Sequence, residues 1–229
     1  MVRTGSGGRS SAPTLGRAIE LISIAALSVA VSGIATAIAG LVAIPAALWI
    51  VLGHSRLRGA LFALFAAGLG LPPVAVGLAI AYAFWRSGPL GFFDLLYTPW
   101  AMGIAQTIII VPLVGTLAVV ALRGGDPTLP MQLRGLAIPR RDRLRLLARE
   151  VAPSLAAALL AGFGRAIAEV GAAQMTGGNI EGQTRVLTTA TMLAVGKGEF
   201  AQAFTYVAVL LGIVAVATGA ALALQRRWA

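Results

Sequence analysis

The sequence predicts an all-α, polytopic helical membrane protein with about five transmembrane helices, and three observations carry that prediction. Of its 229 residues, 58% are hydrophobic and 11% charged, with a mean hydropathy of +0.88. Soluble domains run near 45–50% apolar and about 25% charged. Apolar stretches of about 20 residues recur along the chain, each long enough to cross a roughly 30 Å hydrocarbon core. The charges sit mainly in the connections between these stretches.

Residues 1–17 are polar and rich in Gly and Ser, which predicts a disordered tail. The tail arginines and the apolar run behind them mimic a signal peptide, with Ala35-Thr36-Ala37 in the place of a cleavage site. That run continues to Leu52, well past the 7–15 or so residues of a signal core, so it reads as an uncleaved first helix. Residues 19–52 would measure about 50 Å as a helix at ~1.5 Å per residue. A long, tilted helix bent near Gly40 and Pro45 fits that length.

Arg56 and Arg58 close the first helix in a short basic loop, beside His54. A second span covers residues 59–85, with Gly68, Gly70, Pro72 and Pro73 near its middle. The loop 86–99 carries turn residues and the aromatics Phe92, Phe93 and Tyr97, followed by Trp100, a composition suited to the lipid–water interface. A third span runs over 100–122 and contains Gln106, Thr107 and Pro112. Residues 123–150 hold seven arginines and form the longest polar segment. A fourth span follows at 151–173, then a polar stretch whose apolar run 186–195 is too short to cross, and a fifth span at 200–224.

Topology follows from the distribution of Lys and Arg in short loops. Placing 123–150 in the cytoplasm also puts Arg56, Arg58, Arg226 and Arg227 there, 11 basic residues in all. Arg86, Arg185, Lys197 and the tail's Arg3, Arg9 and Arg17 then lie opposite, with the N-terminus outside and the C-terminus inside. The formal charge of +10 is thus explained by membrane orientation, without invoking nucleic acid.

Four features could carry chemistry. Leu71-Pro72-Pro73 breaks helix rules in mid-membrane, because proline lacks the N–H donor and clashes with the preceding turn. Such a break fits either a pathway-lining kink or a packing kink. In the fourth span, Gly164, Ala168 and Ala172 recur at four-residue spacing, which would let another helix approach closely. Arg165 and Glu169 are also i,i+4 and can pair, either as a structural tie or as part of a gate in which Arg165 offsets a passing anion's charge.

Gly177-Gly178-Asn179 permits unusual backbone angles and exposes N–H groups, which suits a plain turn or an oxyanion-binding nest. From Arg140 to Arg149, arginines alternate with leucines as on an amphipathic helix, which would lie on lipid headgroups or dock a cytoplasmic partner. The chain has no Cys and one His, which excludes disulfides and thiolate chemistry and leaves few groups for general acid–base work. No phosphate-binding loop, Ser-His-Asp set or metal-ligand spacing is present in the sequence.

These stretches resemble the permease subunits of binding-protein-dependent ABC importers, and most of all the tungstate permeases. The resemblance covers residues 20–223. It rests on Gly70-Leu71-Pro72-Pro73-Val74-Ala75-Val76-Gly77-Leu78, Arg86-Ser87-Gly88-Pro89-Leu90-Gly91, residues 161–171, Gly177-Gly178-Asn179-Ile180-Glu181-Gly182 and Thr184-Arg185-Val186-Leu187-Thr188-Thr189-Ala190. It implies a type I importer fold, a homodimer, two cytoplasmic ATPase subunits that bind the ATP, and an extracytoplasmic binding protein. No cofactor is expected in this chain, which would not itself be an enzyme.

In that family the loop equivalent to 123–150 docks on the ATPase through a Glu-Ala-Ala…Gly motif. Counted back from Pro153, the motif's Glu falls near Met131 and its Gly near Ala137, so this chain departs from the pattern, and Gly135 could supply the turn in a shifted register. The resemblance assigns ATPase coupling to Leu133, Gly135, Ala137, Pro139, Arg140 and Arg141. The translocation path or gate falls to Pro72, Pro73, Arg165, Glu169, Gly177, Gly178, Asn179, Thr188 and Thr189, with the second, fourth and fifth spans bordering it. The remaining readings are a permease for molybdate or another tetrahedral oxyanion, a stand-alone channel, and a membrane enzyme.

Overall fold

The computed structural model describes residues 12–53, 55–124, 139, 141–142 and 152–226. These fold into helices α1 (Ala12–Leu52), α2 (Leu57–Gly68), α3 (Pro73–Phe84), α4 (Pro99–Gly124), α5 (Ala152–Ile167), α6 (Gly171–Gly177), α7 (Leu187–Gly196) and α8 (Phe200–Arg226), with a single 3-10 turn at Gly91–Phe93. No strand occurs among the described residues.

α1 is one helix of 41 residues, about 60 Å long, which runs unbroken through Gly40 and Pro45. It also takes in residues 12–17, which the sequence placed in a disordered tail. Pro13 sits in the first helical turn, where a missing N–H costs nothing, so the helix extends further out than the apolar pattern suggested. Gly40 serves close approach: the methyl groups of Leu159 lie where its side chain would be.

Packing fixes the relative directions. Val31 of α1 meets Met102 of α4, while Ala47 and Ile50 share a buried cluster with Ala118, Val119 and Leu122. α1 and α4 are therefore parallel. α5 runs against both: Leu155 joins the Ala47/Ala118 cluster, Gly162 meets Val114, and Ala166 packs with Ala35 and Ile110. α8 starts at the end where α1 begins, since Gln202 and Tyr206 line one cavity with Glu20.

Two parallel helices in sequence require a return between them, and α2 with α3 makes it. Phe65 of α2 packs on Gly115, and Gly68 receives the ring of Pro112, so α2 rises along α4 to mid-depth. There the chain turns through 101°. Pro72 is extended and Pro73 opens α3, so no N–H is available to continue the ladder past Leu71. The second span expected at 59–85 is thus corrected to two helices of 12 residues, each about 18 Å long and too short to cross alone.

The fourth span is broken as well, by 60° between α5 and α6. The Ala168 N–H still bonds the Gly164 carbonyl at helical spacing, the Glu169 N–H turns more tightly to the Ala166 carbonyl, and helix resumes at Gly171. Among the described residues α1, α4 and α8 are long and apolar enough to cross a membrane, and each broken pair reaches that length only with its two halves taken together, which makes up to five crossings. The end of α1, the start of α2, the end of α4 and the start of α5 lie together at one end of the bundle. The outside of the bundle carries Leu41, Leu64, Leu78, Phe204 and Val216, apolar side chains suited to lipid.

Candidate functional site where two helix breaks meet

The two breaks pack against each other. A Cβ added at Gly77 of α3 would lie 2.7 Å from Ala172 Cα and 3.3 Å from the Cβ atoms of Ala172 and Met175 of α6. One at Gly171 would lie 2.7 Å from Val74 Cγ2. Pro72 and Pro73 therefore sit beside the start of α6, within a turn of Val74. Irregular backbone at membrane depth is tolerated only where protein covers it or water fills the space; α3 and α6 pack directly after their breaks, while Leu69–Pro72 themselves are exposed in this chain.

Glu169 ties the second break together. Its Oε2 accepts a hydrogen bond from Arg165 Nη1 at 2.6 Å, and its Oε1 accepts the N–H of Ala172 at 3.1 Å. Its carbonyl accepts the Thr188 hydroxyl of α7 at 2.9 Å. One residue thus links α5, α6 and α7. Glu169 is 5% exposed whereas Arg165 is 39% exposed, so the pair holds a guanidinium with unused donors at the edge of the bundle.

The small-residue stripe expected from Gly164, Ala168 and Ala172 is corrected. The helix breaks between the second and third, so they share no face. Nothing approaches Gly164 within 4 Å, Ala168 is exposed, and only Ala172 is closely packed. The close approaches fall instead at Gly77, Gly162 and Gly171, where the sequence offered glycines without a spacing rule to select them.

Gly177, Gly178 and Asn179 lie at the far end of α6, about 9 Å from its start. Gly177 meets Met102, and Gly178 adopts φ +69° under the ring of Tyr97, a left-handed conformation that glycine takes without a Cβ clash. Asn179 follows at φ +54°, with its Oδ1 buried and unbonded. The Tyr97 N–H donates to the Thr176 carbonyl at 2.8 Å, and the buried Thr184 hydroxyl donates to the Gly177 carbonyl while accepting the Ile180 N–H at 3.0 Å. Gln106 of α4, noted in the third span but given no role there, is buried with Oε1 unbonded.

Pro72, Pro73, Arg165, Glu169 and Thr188 are thus gathered around the breaks. Thr189 is turned inward, its hydroxyl bonded to the Val186 N–H and carbonyl at the start of α7. Of the coupling residues, Pro139 and Arg141 are exposed, and the Pro139 carbonyl accepts the Asp142 N–H at 3.0 Å. Leu133, Gly135, Ala137 and Arg140 lie outside the described residues, as does most of the amphipathic run 140–149 and His54. Among the described residues no cluster of His, Asp and Glu could hold a metal ion.

No protein-family model matches the chain. Individual relatives do. The tungstate uptake system permease of Peptoclostridium acidaminophilum is 36% identical over 194 residues, 85% of each chain. A probable anion ABC transporter permease of Haloferax volcanii is 35% identical over 203 residues, covering 85% of this chain and 86% of its own. The molybdenum transport permease of Azotobacter vinelandii is more distant, 27% identical over 185 residues, 77% of this chain and 82% of the relative.

Proposed function

Since this chain belongs to the ABC uptake permeases for tungstate and related anions, multi-pass proteins of the cytoplasmic membrane, we propose that it carries tungstate inward by ATP-driven alternating access. In this reading it works as a homodimer with two cytoplasmic ATPase subunits, which bind the ATP, and an extracytoplasmic binding protein. The chain itself supplies the path and performs no catalysis.

The observation that carries this reading is the pair of interlocked helix breaks with a half-exposed Arg165 held by a buried Glu169. An ionisable pair at this depth is costly in lipid, and such groups face a bundle interior or an aqueous cavity. Here Glu169 keeps Arg165 in place while leaving donors free for a transient oxyanion, which must be held weakly enough to leave. Two packed half-helices also make a unit with discrete arrangements, suited to conversion between outward- and inward-facing states. The segment at Gly177, Gly178 and Asn179 forms the outer gate, and residues 133–141 transmit closure of the ATPases.

The Arg165→Ala variant is expected to lower tungstate uptake about tenfold, the worth of one charge-assisted hydrogen bond of ~1.5 kcal/mol. Uptake and anion-stimulated ATP hydrolysis measured together check this, and unchanged values for both would remove Arg165 from the path. The molybdenum permease relative favours a second reading, in which the cargo is molybdate. Tungstate and molybdate are tetrahedral dianions of nearly equal size, so competition between them for uptake separates the two.

A further inference from the structure

The structure assigns Arg185 the role of a positioning residue: it straps the segment that carries the outer gate to the N-terminal end of α1, and this strap must release in each transport cycle. The inference rests on the transport reading above and adds to it a named, breakable link.

Residues 177–186 form a self-tied knot. The N–H groups of Gln183, Thr184 and Arg185 all converge on the Ile180 carbonyl, at 3.2, 2.9 and 3.0 Å, while Thr184 binds back to Gly177 and Ile180. Such a knot moves as one piece, so the attachments at its edges decide where it sits. Toward the loop before α4 these are the Tyr97–Thr176 backbone bond and the Tyr97 ring over Gly178. Toward α1 there are two, of different character. The Leu187 N–H donates to the Ser28 hydroxyl at 2.9 Å, a buried bond at the start of α7. Further out, Arg185 Nη1 reaches Glu20 Oε1 of α1 at 3.4 Å and Glu181 Oε2 at 3.3 Å.

The Arg185 link is built to open. Its side chain is only 15% exposed, yet both contacts are long and its Nε is buried without a hydrogen bond. Its two carboxylate partners reach water, Glu20 at 35% and Glu181 at 73% exposed, so water can take the place of the guanidinium when the contacts open. A polar cavity of about 220 Å³ lies beside the strap, lined by Glu20, Glu181, Arg185, Lys197, Glu199 and Gln202. It gives the freed side chains room. Glu199 and Lys197 line the same cavity, while Glu20 and Glu181 are the two carboxylates that Arg185 contacts.

The test uses cells that express the whole transporter and takes up inorganic tungstate, read as cell tungsten by elemental mass spectrometry. The chain has no native cysteine, so Glu20→Cys with Arg185→Cys introduces its only thiols. Joining them with a bis-maleimide that contains a central disulfide is expected to stop uptake, and cleaving the linker is expected to restore it. Separately, Glu20→Gln and Arg185→Gln should change the half-saturating tungstate concentration about two- to fivefold, the span of a partly exposed ion pair. The exchanged pair Glu20→Arg with Arg185→Glu should return it toward the starting value. A cross-linked protein that imports tungstate at the uncross-linked rate overturns the strap alone. A starting protein that imports neither tungstate nor molybdate overturns the transport reading and the strap with it.

Discussion

Gly77→Leu is expected to abolish tungstate uptake, and Gly77→Ala to lower both uptake and the melting temperature of the purified transporter. Even one carbon at this position would lie 2.7 Å from Ala172 Cα, a backbone atom that cannot rotate away. Overpacking of this kind costs about 1–3 kcal/mol per inserted methyl-sized group, and leucine adds more atoms to a contact that has no slack. The strain would fall on the seam where the two helix breaks interlock, so function should fail even in molecules that still fold. Gly59 provides the comparison. Nothing lies within 4 Å of it, so Gly59→Ala should be neutral or stabilise its helix by up to ~1 kcal/mol. Equal effects at the two positions, in uptake and melting temperature, would mean that the α3–α6 seam is not as tight as described.

Glu169 carries the second large effect. Glu169→Ala removes the partner of Arg165, leaves the Ala172 N–H without an acceptor, and opens a gap in a site that is 5% exposed. Removing one partner of a buried pair costs about 3–5 kcal/mol. The cost here should fall at the lower end, because Arg165 keeps 39% of its side chain exposed and can draw on water. Folded transporter and uptake are both expected to fall sharply. Glu169→Gln separates the two roles: its amide oxygen can still accept the Ala172 N–H, but the charge that holds Arg165 is gone. Thermal stability should return most of the way while uptake stays low. If Glu169→Gln imports tungstate like the starting protein, the residue is a helix tie and the charge plays no part in transport.

The distance between what the sequence signalled and what the fold does can be traced to particular residues. The apolar runs identified the crossings, and Pro72-Pro73 marked the first break, because chemistry that removes a donor is local and visible. The 101° angle was not visible, since it is set by where α2 and α3 find partners, Pro112 on one side and Ala172 on the other. The break after Ile167 carried no proline, and without it Gly164, Ala168 and Ala172 looked like one face. The Arg165–Glu169 pair was legible from its spacing and forms at 2.6 Å. That Glu169 also holds Ala172 and Thr188 was not legible, because both bonds exist only once the helix has turned. The link from Arg185 to Glu20 was not legible either, as the two lie 165 residues apart in sequence.

The central claim is that this chain is the membrane path for tungstate, and cellular metal content tests it most directly. Cells with and without the gene would be grown at trace supply of tungstate and molybdate together, and both metals read by elemental mass spectrometry. The account predicts that tungsten falls when the gene is removed, with molybdenum unchanged. A fall in molybdenum alone would move the cargo to the second anion. Unchanged levels of both would contradict the account.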